Sequence, residues 1–134
     1  EVNTMVISAA LLCMSLNVYF EARSEHVTGQ AAVAEVTLNR VKDDRYPNDV
    51  CSVVKQESKG TCQFSWYCDG KSDQPKDEYA FIVAQWVSYN VMHGKWEGQT
   101  QGSTHYHAKY IKPYWAKDLD KTVTIGTHIF YKWK

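Results

Sequence analysis

The stretch "NVYFEARSEHVTGQAAVAEVTLNRV", residues 17–41, decides how this chain is read. An apolar run ends abruptly in Glu21, Arg23 and Glu25, and a second apolar run follows at once. Upstream, Ile7, Leu11, Met14 and Val18 recur at spacings of three and four, the periodicity of one helix face. Glu21 falls seven residues after Met14 on that same stripe. Its carboxylate therefore leaves the last turn on the core-facing side. It also lies near the negative end of the helix dipole. Burial and dipole both disfavour a charged carboxylate, so a raised pKa is expected. Glu25, about one turn further on, reads as a helix-end carboxylate paired with Arg23 or Arg40. Glu35, mid-helix, is either buried and paired or on an exposed side.

Outward from this stretch, the first helix is expected to run to about Ala22, capped by Asn3 or Thr4. Thr28 and Gly29 open a second helix through roughly Val41. Ala31, Ala34, Leu38 and Val41 form one stripe, and Val33 and Val36 lie elsewhere around it. A helix apolar on most sides is central to its fold. Pro47 begins a short helix or turn through "NDVCSVVKQ", and residues 57–75 read as loop. A further helix spans about Asp77 to His93, with Gly94 as its stop. Beyond it, "STHYHAKYI" and "TVTIGTHIFYKW" are rich in β-branched and aromatic residues, and Gly126-Thr127 suits a type II′ hairpin turn. The expected architecture is α+β, one domain over residues 1–134, with a helical core followed by a small antiparallel sheet.

Composition excludes some functions. The 15 basic and 15 acidic residues balance, so no basic footprint points to nucleic acid. Residues 5–20, "MVISAALLCMSLNVYF", are shorter than the roughly 20 apolar residues of a membrane span. They lack the positive charge and cleavage pattern of a signal peptide. A start at Glu1 rather than Met leaves open whether a longer precursor carries an export signal. Five Trp and nine Tyr in 134 residues suit either core packing or a groove whose rings stack on flat ligands such as sugars. Among four cysteines, Cys13 in the apolar run reads as a small buried hydrophobe. Cys51, Cys62 and Cys68 do not have a standard zinc spacing. A bridge among them, such as Cys62 with Cys68, fits a protein working outside the cytosol, and free thiols are the alternative.

Five segments in order, "NVYFEARSEHVTGQAAVAEVTLNRV", "YPNDVCSVV", "CQFSWYCDG", "GSTHYHAKYIKPYWA" and "TVTIGTHIFYK", resemble the SleB/CwlJ-type cell-wall hydrolases. The resemblance covers about residues 11–132. It implies a lysozyme-like helical core and a peptidoglycan-cleaving glycosidase, a lytic transglycosylase cutting the MurNAc-GlcNAc bond. It implies action at the bacterial cell wall or periplasm, by a monomer that is secreted or phage-delivered, as an endolysin is. No cofactor or metal is implied, and no membrane insertion. The family's catalytic acid is the first Glu of its E-A-R-x-E motif, which here is Glu21. The QFSW segment borders the family's cleft, making Gln63, Ser65 and Trp66 candidate glycan contacts, with Phe64 turned inward. His105, Tyr106 and His107 in "THYHA" are candidates for the same groove, the two histidines sharing one strand face and Tyr106 the other.

The chemistry agrees with Glu21. Glycosidic cleavage needs an acid still protonated near neutral pH, and a Glu on an apolar face supplies one. Asp69 would be the spare carboxylate of a two-acid hydrolase, although before Gly70 it reads better as a turn residue. Two alternatives stand. His105, His107 and His128 would be the zinc ligands of an N-acetylmuramoyl-L-alanine amidase, although no H-E-x-x-H is present. A non-catalytic glycan-binding module would explain the aromatics but not the E-A-R-S-E motif.

Overall fold

A computed structural model describes residues 7–134. Helix α1, Ala9–Ala22, begins where the Ser8 hydroxyl accepts from the Leu11 amide at 3.1 Å. The cap is thus later than Asn3 or Thr4, which lie outside the described residues. Ile7 is exposed, so the buried stripe starts lower, with Met14 and Val18 fully enclosed. Helix α2, Val27–Lys42, is capped by His26, whose Nδ1 accepts from the Thr28 amide at 3.2 Å. Ala31, Ala32, Val33, Ala34 and Val36 are all buried, which makes α2 the central helix that its all-round apolar pattern demands.

Helix α3, Val50–Val54, starts from an Asp49 cap. The expected loop at 57–75 is more ordered than its composition suggests. It holds a two-residue-strand hairpin, β1 (Glu57–Ser58) with β2 (Thr61–Cys62), then a single 3₁₀ turn over Ser65–Cys68. Helix α4, Glu78–Met92, has an Asp77 cap and ends at Gly94, whose φ of 88° suits a residue without Cβ. Helices α1, α2 and α4 pack on one another around the main core, with α3 and the aromatic rings of Phe64 and Trp66 closing one side.

Two disulfides staple this body. Cys62–Cys68 closes the loop carrying the 3₁₀ turn. Cys13–Cys51 ties α1 to α3, so Cys13 is not the inert hydrophobe its apolar neighbours suggested. Sequence separation of 38 residues hid a pairing that the α1–α3 packing creates.

The C-terminal part is an antiparallel sheet in the order β3 (His105–Ala108), β5 (His128–Lys132), β4 (Asp120–Ile125). Gly126 at φ 58° makes the β4–β5 turn, and Thr127 has no positive φ, as a type II′ turn requires. Tyr106 pairs with Phe130 and Ala108 with His128, which puts these four on one face. Phe130 is fully buried there against Ala32 and Val36 of α2. His105, His107, Ile129 and Tyr131 take the opposite face, where Trp115 packs on His105, His107 and Tyr131. The fold is α+β, and the sheet's inner face meets the helical body beside the end of α1.

Candidate active site

Glu21 stands in the last turn of α1, and the Tyr106 hydroxyl donates to its Oε1. Burial raises the Glu21 pKa above the ordinary carboxylate range. The Tyr106 hydrogen bond and the Arg40 charge pull it part of the way back. Tyr106 has its own pKa pushed well up by burial, with the Glu21 charge adding to it, so the phenol stays a donor. Arg40 comes from α2. It is buried, its Nε donates to the Thr104 carbonyl at 2.8 Å, and its guanidinium lies over the Tyr46 and Phe64 rings. No carboxylate of the described residues lies within 4.0 Å of it. Its charge therefore acts on Glu21 across space instead of consuming the carboxylate in an ion pair.

Beneath Glu21 runs a buried polar chain. The Trp66 indole N–H donates to Asn17 Oδ1 at 2.8 Å, and Asn17 Nδ2 donates to Thr37 Oγ1 at 3.4 Å. Trp66 also stacks on Phe20, with centroids 4.8 Å apart. These contacts fix the turn of α1 that carries Glu21. They also correct one expectation. With 7% of its surface exposed, Trp66 is a structural ring and has no free face for a sugar. Phe64 is inward as expected, while Gln63 and Ser65 remain exposed on the same loop.

Glu25 differs from its expected role. It pairs with neither Arg23 nor Arg40. Its Oε1 accepts from the Thr127 amide at 2.9 Å and its Oε2 from the Thr127 hydroxyl at 3.0 Å. A Cβ on Gly126 would collide with Glu25 Oε1 and push that carboxylate off Thr127, while the positive φ itself favours glycine at this turn. His128 Nδ1 lies 3.9 Å from Glu25 Oε1. Burial lowers the His128 pKa, against the pull of Glu25, so the ring is neutral near pH 7. Asp69 serves a turn, accepting the Lys71 amide at 2.9 Å.

The three histidines do not converge. His105 and His107 lie on the outer sheet face and His128 on the inner one. His107 is engaged at both nitrogens, with the Ala108 carbonyl at 2.7 Å and the Tyr131 hydroxyl at 2.8 Å. Among the described residues no group of three His, Cys, Asp or Glu side chains is placed to hold a metal ion. Tyr106, rather than either histidine, is the residue of "THYHA" that reaches Glu21. Strand periodicity separated the two faces but could not say which one meets the helices. Arg40 and Asn17 were passed over as site residues. The one available signal was a polar side chain inside an otherwise apolar helical run.

Comparison with known proteins identifies the family and the fold. Residues 24–131 match the cell wall hydrolase family, and the chain belongs to that family. It is 30% identical over 118 residues to the spore cortex-lytic enzyme of Halalkalibacterium halodurans, covering 87% of this chain and 33% of that protein. It is 27% identical over 113 residues to the Bacillus subtilis spore cortex-lytic enzyme, covering 84% and 34%. The chain thus spans about a third of the length of the curated relatives it matches. The catalytic domain of the germination-specific lytic transglycosylase SleB from Bacillus anthracis superposes with a TM-score of 0.77 at 28% identity, over 98% of this chain and all of that one. The catalytic domain of Bacillus cereus SleB gives 0.76 at 28% identity, over 98% and 95%.

Proposed function

We propose that this chain is a single catalytic domain that cleaves peptidoglycan glycan strands as a lytic transglycosylase, with Glu21 as general acid and then base. The observation that carries this reading is a carboxyl whose pKa is raised by burial and which is held by one oxygen only, Oε1 to Tyr106. Its other oxygen is left for the proton that goes to the glycosidic oxygen. As that bond breaks, positive charge develops at C1 of the MurNAc ring. The Glu21 carboxylate then takes the proton from the C6 hydroxyl of the same sugar, whose oxygen closes on C1. A 1,6-anhydro end forms, and Glu21 is protonated again. No second carboxylate is needed, consistent with Glu25 being committed to the β4–β5 turn. Arg40 and Tyr106 stabilise the carboxylate during the interval when it is charged.

Gln63 and Ser65, exposed on the loop anchored through Trp66 and Phe20, are the proposed glycan contacts beside this acid. The domain would act at the bacterial cell wall as a monomer, reached by secretion or phage delivery. The two disulfides suit such an oxidising location. No helix among the described residues is long and apolar enough to cross a membrane. Mass spectrometry of digested peptidoglycan tests the chemistry. Anhydromuramoyl ends are expected. Reducing ends would mean a hydrolase, and freed stem peptides an amidase.

A further inference from the structure

A cavity of about 360 Å³ opens between α2, the end of α4 and the loop 94–102. None of its lining residues surrounds Glu21. At its wall stands Glu35, nine-tenths buried. Glu35 Oε1 accepts from the Gly98 amide at 3.2 Å and the Thr100 amide at 3.5 Å. Among the described residues no cation and no donor meets the other oxygen, Oε2. Oε2 is not sealed off in the interior but opens onto the cavity, where a ligand can meet it. Lys42 and Lys95 also line the cavity, as does Glu97. Both ammonium groups belong to exposed side chains. The cavity therefore combines two carboxylates, Glu35 at the inner wall and Glu97 on the loop, with two ammonium groups at its mouth.

The loop is held in an expensive shape. Trp96 and Gln101 have φ values of 58° and 53°, left-handed conformations that side-chain-bearing residues rarely adopt. Asn39 fixes the loop's far end, its Nδ2 donating to the Thr100 hydroxyl at 3.2 Å and the Ser103 carbonyl at 2.9 Å. Strain maintained by surrounding contacts is a feature of ligand clamps. The volume lies within the range of small-molecule sites, about 300–1,000 Å³.

We propose that this cavity binds an amino-acid zwitterion, its ammonium on Glu35 and its carboxylate between Lys42 and Lys95. A neutral sugar would leave these four charges unanswered, and a simple anion would meet Glu35 and Glu97 unfavourably. Peptidoglycan stem peptides carry such a group where a diamino acid is not cross-linked. Assigning the ligand to a wall peptide rests on the proposed function, whereas the binding chemistry does not. On that reading the site would favour strands with unlinked stems and help to hold them while Glu21 acts.

Isothermal titration calorimetry of the whole chain with meso-diaminopimelate tests this directly. Pimelate keeps the carboxylates without the amines, and cadaverine keeps the amines without the carboxylates. Saturable binding of diaminopimelate is expected, with both analogues weaker by about ten-fold or more, the scale of one charge-assisted hydrogen bond. Glu35→Gln should weaken binding by a similar factor, as should Lys42→Gln combined with Lys95→Gln on the exposed mouth. Glu21→Gln should bind unchanged. Equal binding of either analogue, or no binding of diaminopimelate, overturns the proposal. Loss of binding in Glu21→Gln also overturns it, since the ligand would then sit in the cleft. If Glu35→Gln does not fold, the lysine pair and the two analogues still decide. Should wall cleavage be absent while diaminopimelate binds as described, the proposed function falls and the zwitterion site stands.

Discussion

Glu21 and Glu25 are four residues apart and chemically identical, yet the fold uses them in opposite ways. Glu21 closes a helix whose Met14 and Val18 face is fully buried, and it meets one donor, Tyr106, in surroundings that raise its pKa. Glu25 lies just past the helix end and spends both oxygens on Thr127, clamping the β4–β5 turn to the helical body. The difference shows that proximity in sequence says little about role. A carboxylate with its oxygens saturated by structural donors is a staple. One left short of partners in a poorly hydrated place can hold and give up a proton.

The largest effect that separates the two should come from Glu21→Gln. It keeps size and much of the hydrogen bonding but cannot deliver a proton. Peptidoglycan cleavage should fall by about 10²–10⁴-fold while the fold persists. The same variant carries a stability signature. Because the folded pKa of Glu21 is raised, the stabilisation tied to its proton is present below the ordinary Glu range and lost as pH rises through the folded value. Relative to the native chain, the Gln variant should therefore gain melting temperature as pH rises through that window. A Glu21→Gln protein that still cuts the wall would end the comparison in its present form.

Reduction of the disulfides comes next and should act on the helical side. Cys13–Cys51 joins α1 to α3, and Cys62–Cys68 closes the loop whose Trp66 holds Asn17. Each native bridge is typically worth about 2–4 kcal/mol. Thermal unfolding with and without reductant measures this. Titration of four free thiols in the untreated protein would show that the bridges do not form.

A smaller loss, about 1–3 kcal/mol, is expected for Glu25→Ala, because it removes two hydrogen bonds to a charged acceptor. Activity should suffer mainly through stability. Gly126→Ala should also destabilise, by φ strain and by collision with Glu25 Oε1. Combining the two removes the collision, so denaturation of the double variant should show less than the sum of the single losses. Strict additivity would mean that Glu25 and Gly126 do not touch.

Tyr106→Phe should have the smallest effect and the most specific one. The Tyr106 hydrogen bond lowers the Glu21 pKa, so removing the hydroxyl raises it further. The acid must be protonated to act, and activity falls as pH rises past its pKa. The alkaline limb of the pH–rate profile should consequently move to higher pH in the Phe variant. A shift to lower pH would show that the hydroxyl does not donate to Glu21.

Much of this was legible in the chain itself. Apolar spacing located α1, α2 and α4, and the stripe through Met14 and Val18 pointed to Glu21, because helical geometry fixes which side chains share a face. Gly94 and Gly126 marked their turns, since positive φ excludes most other residues. Whatever depends on two distant segments meeting had no local trace. The Cys13–Cys51 bridge, the Glu25 clasp on Thr127 and the choice of Tyr106 over His105 and His107 each join residues 38 or more apart in the chain, or depend on which sheet face turns inward. Trp66 shows the same limit, because an aromatic ring reads alike whether it will stack on a sugar or on Phe20. Local periodicity fixes which way a side chain points from its own element. Only packing decides what it will find there.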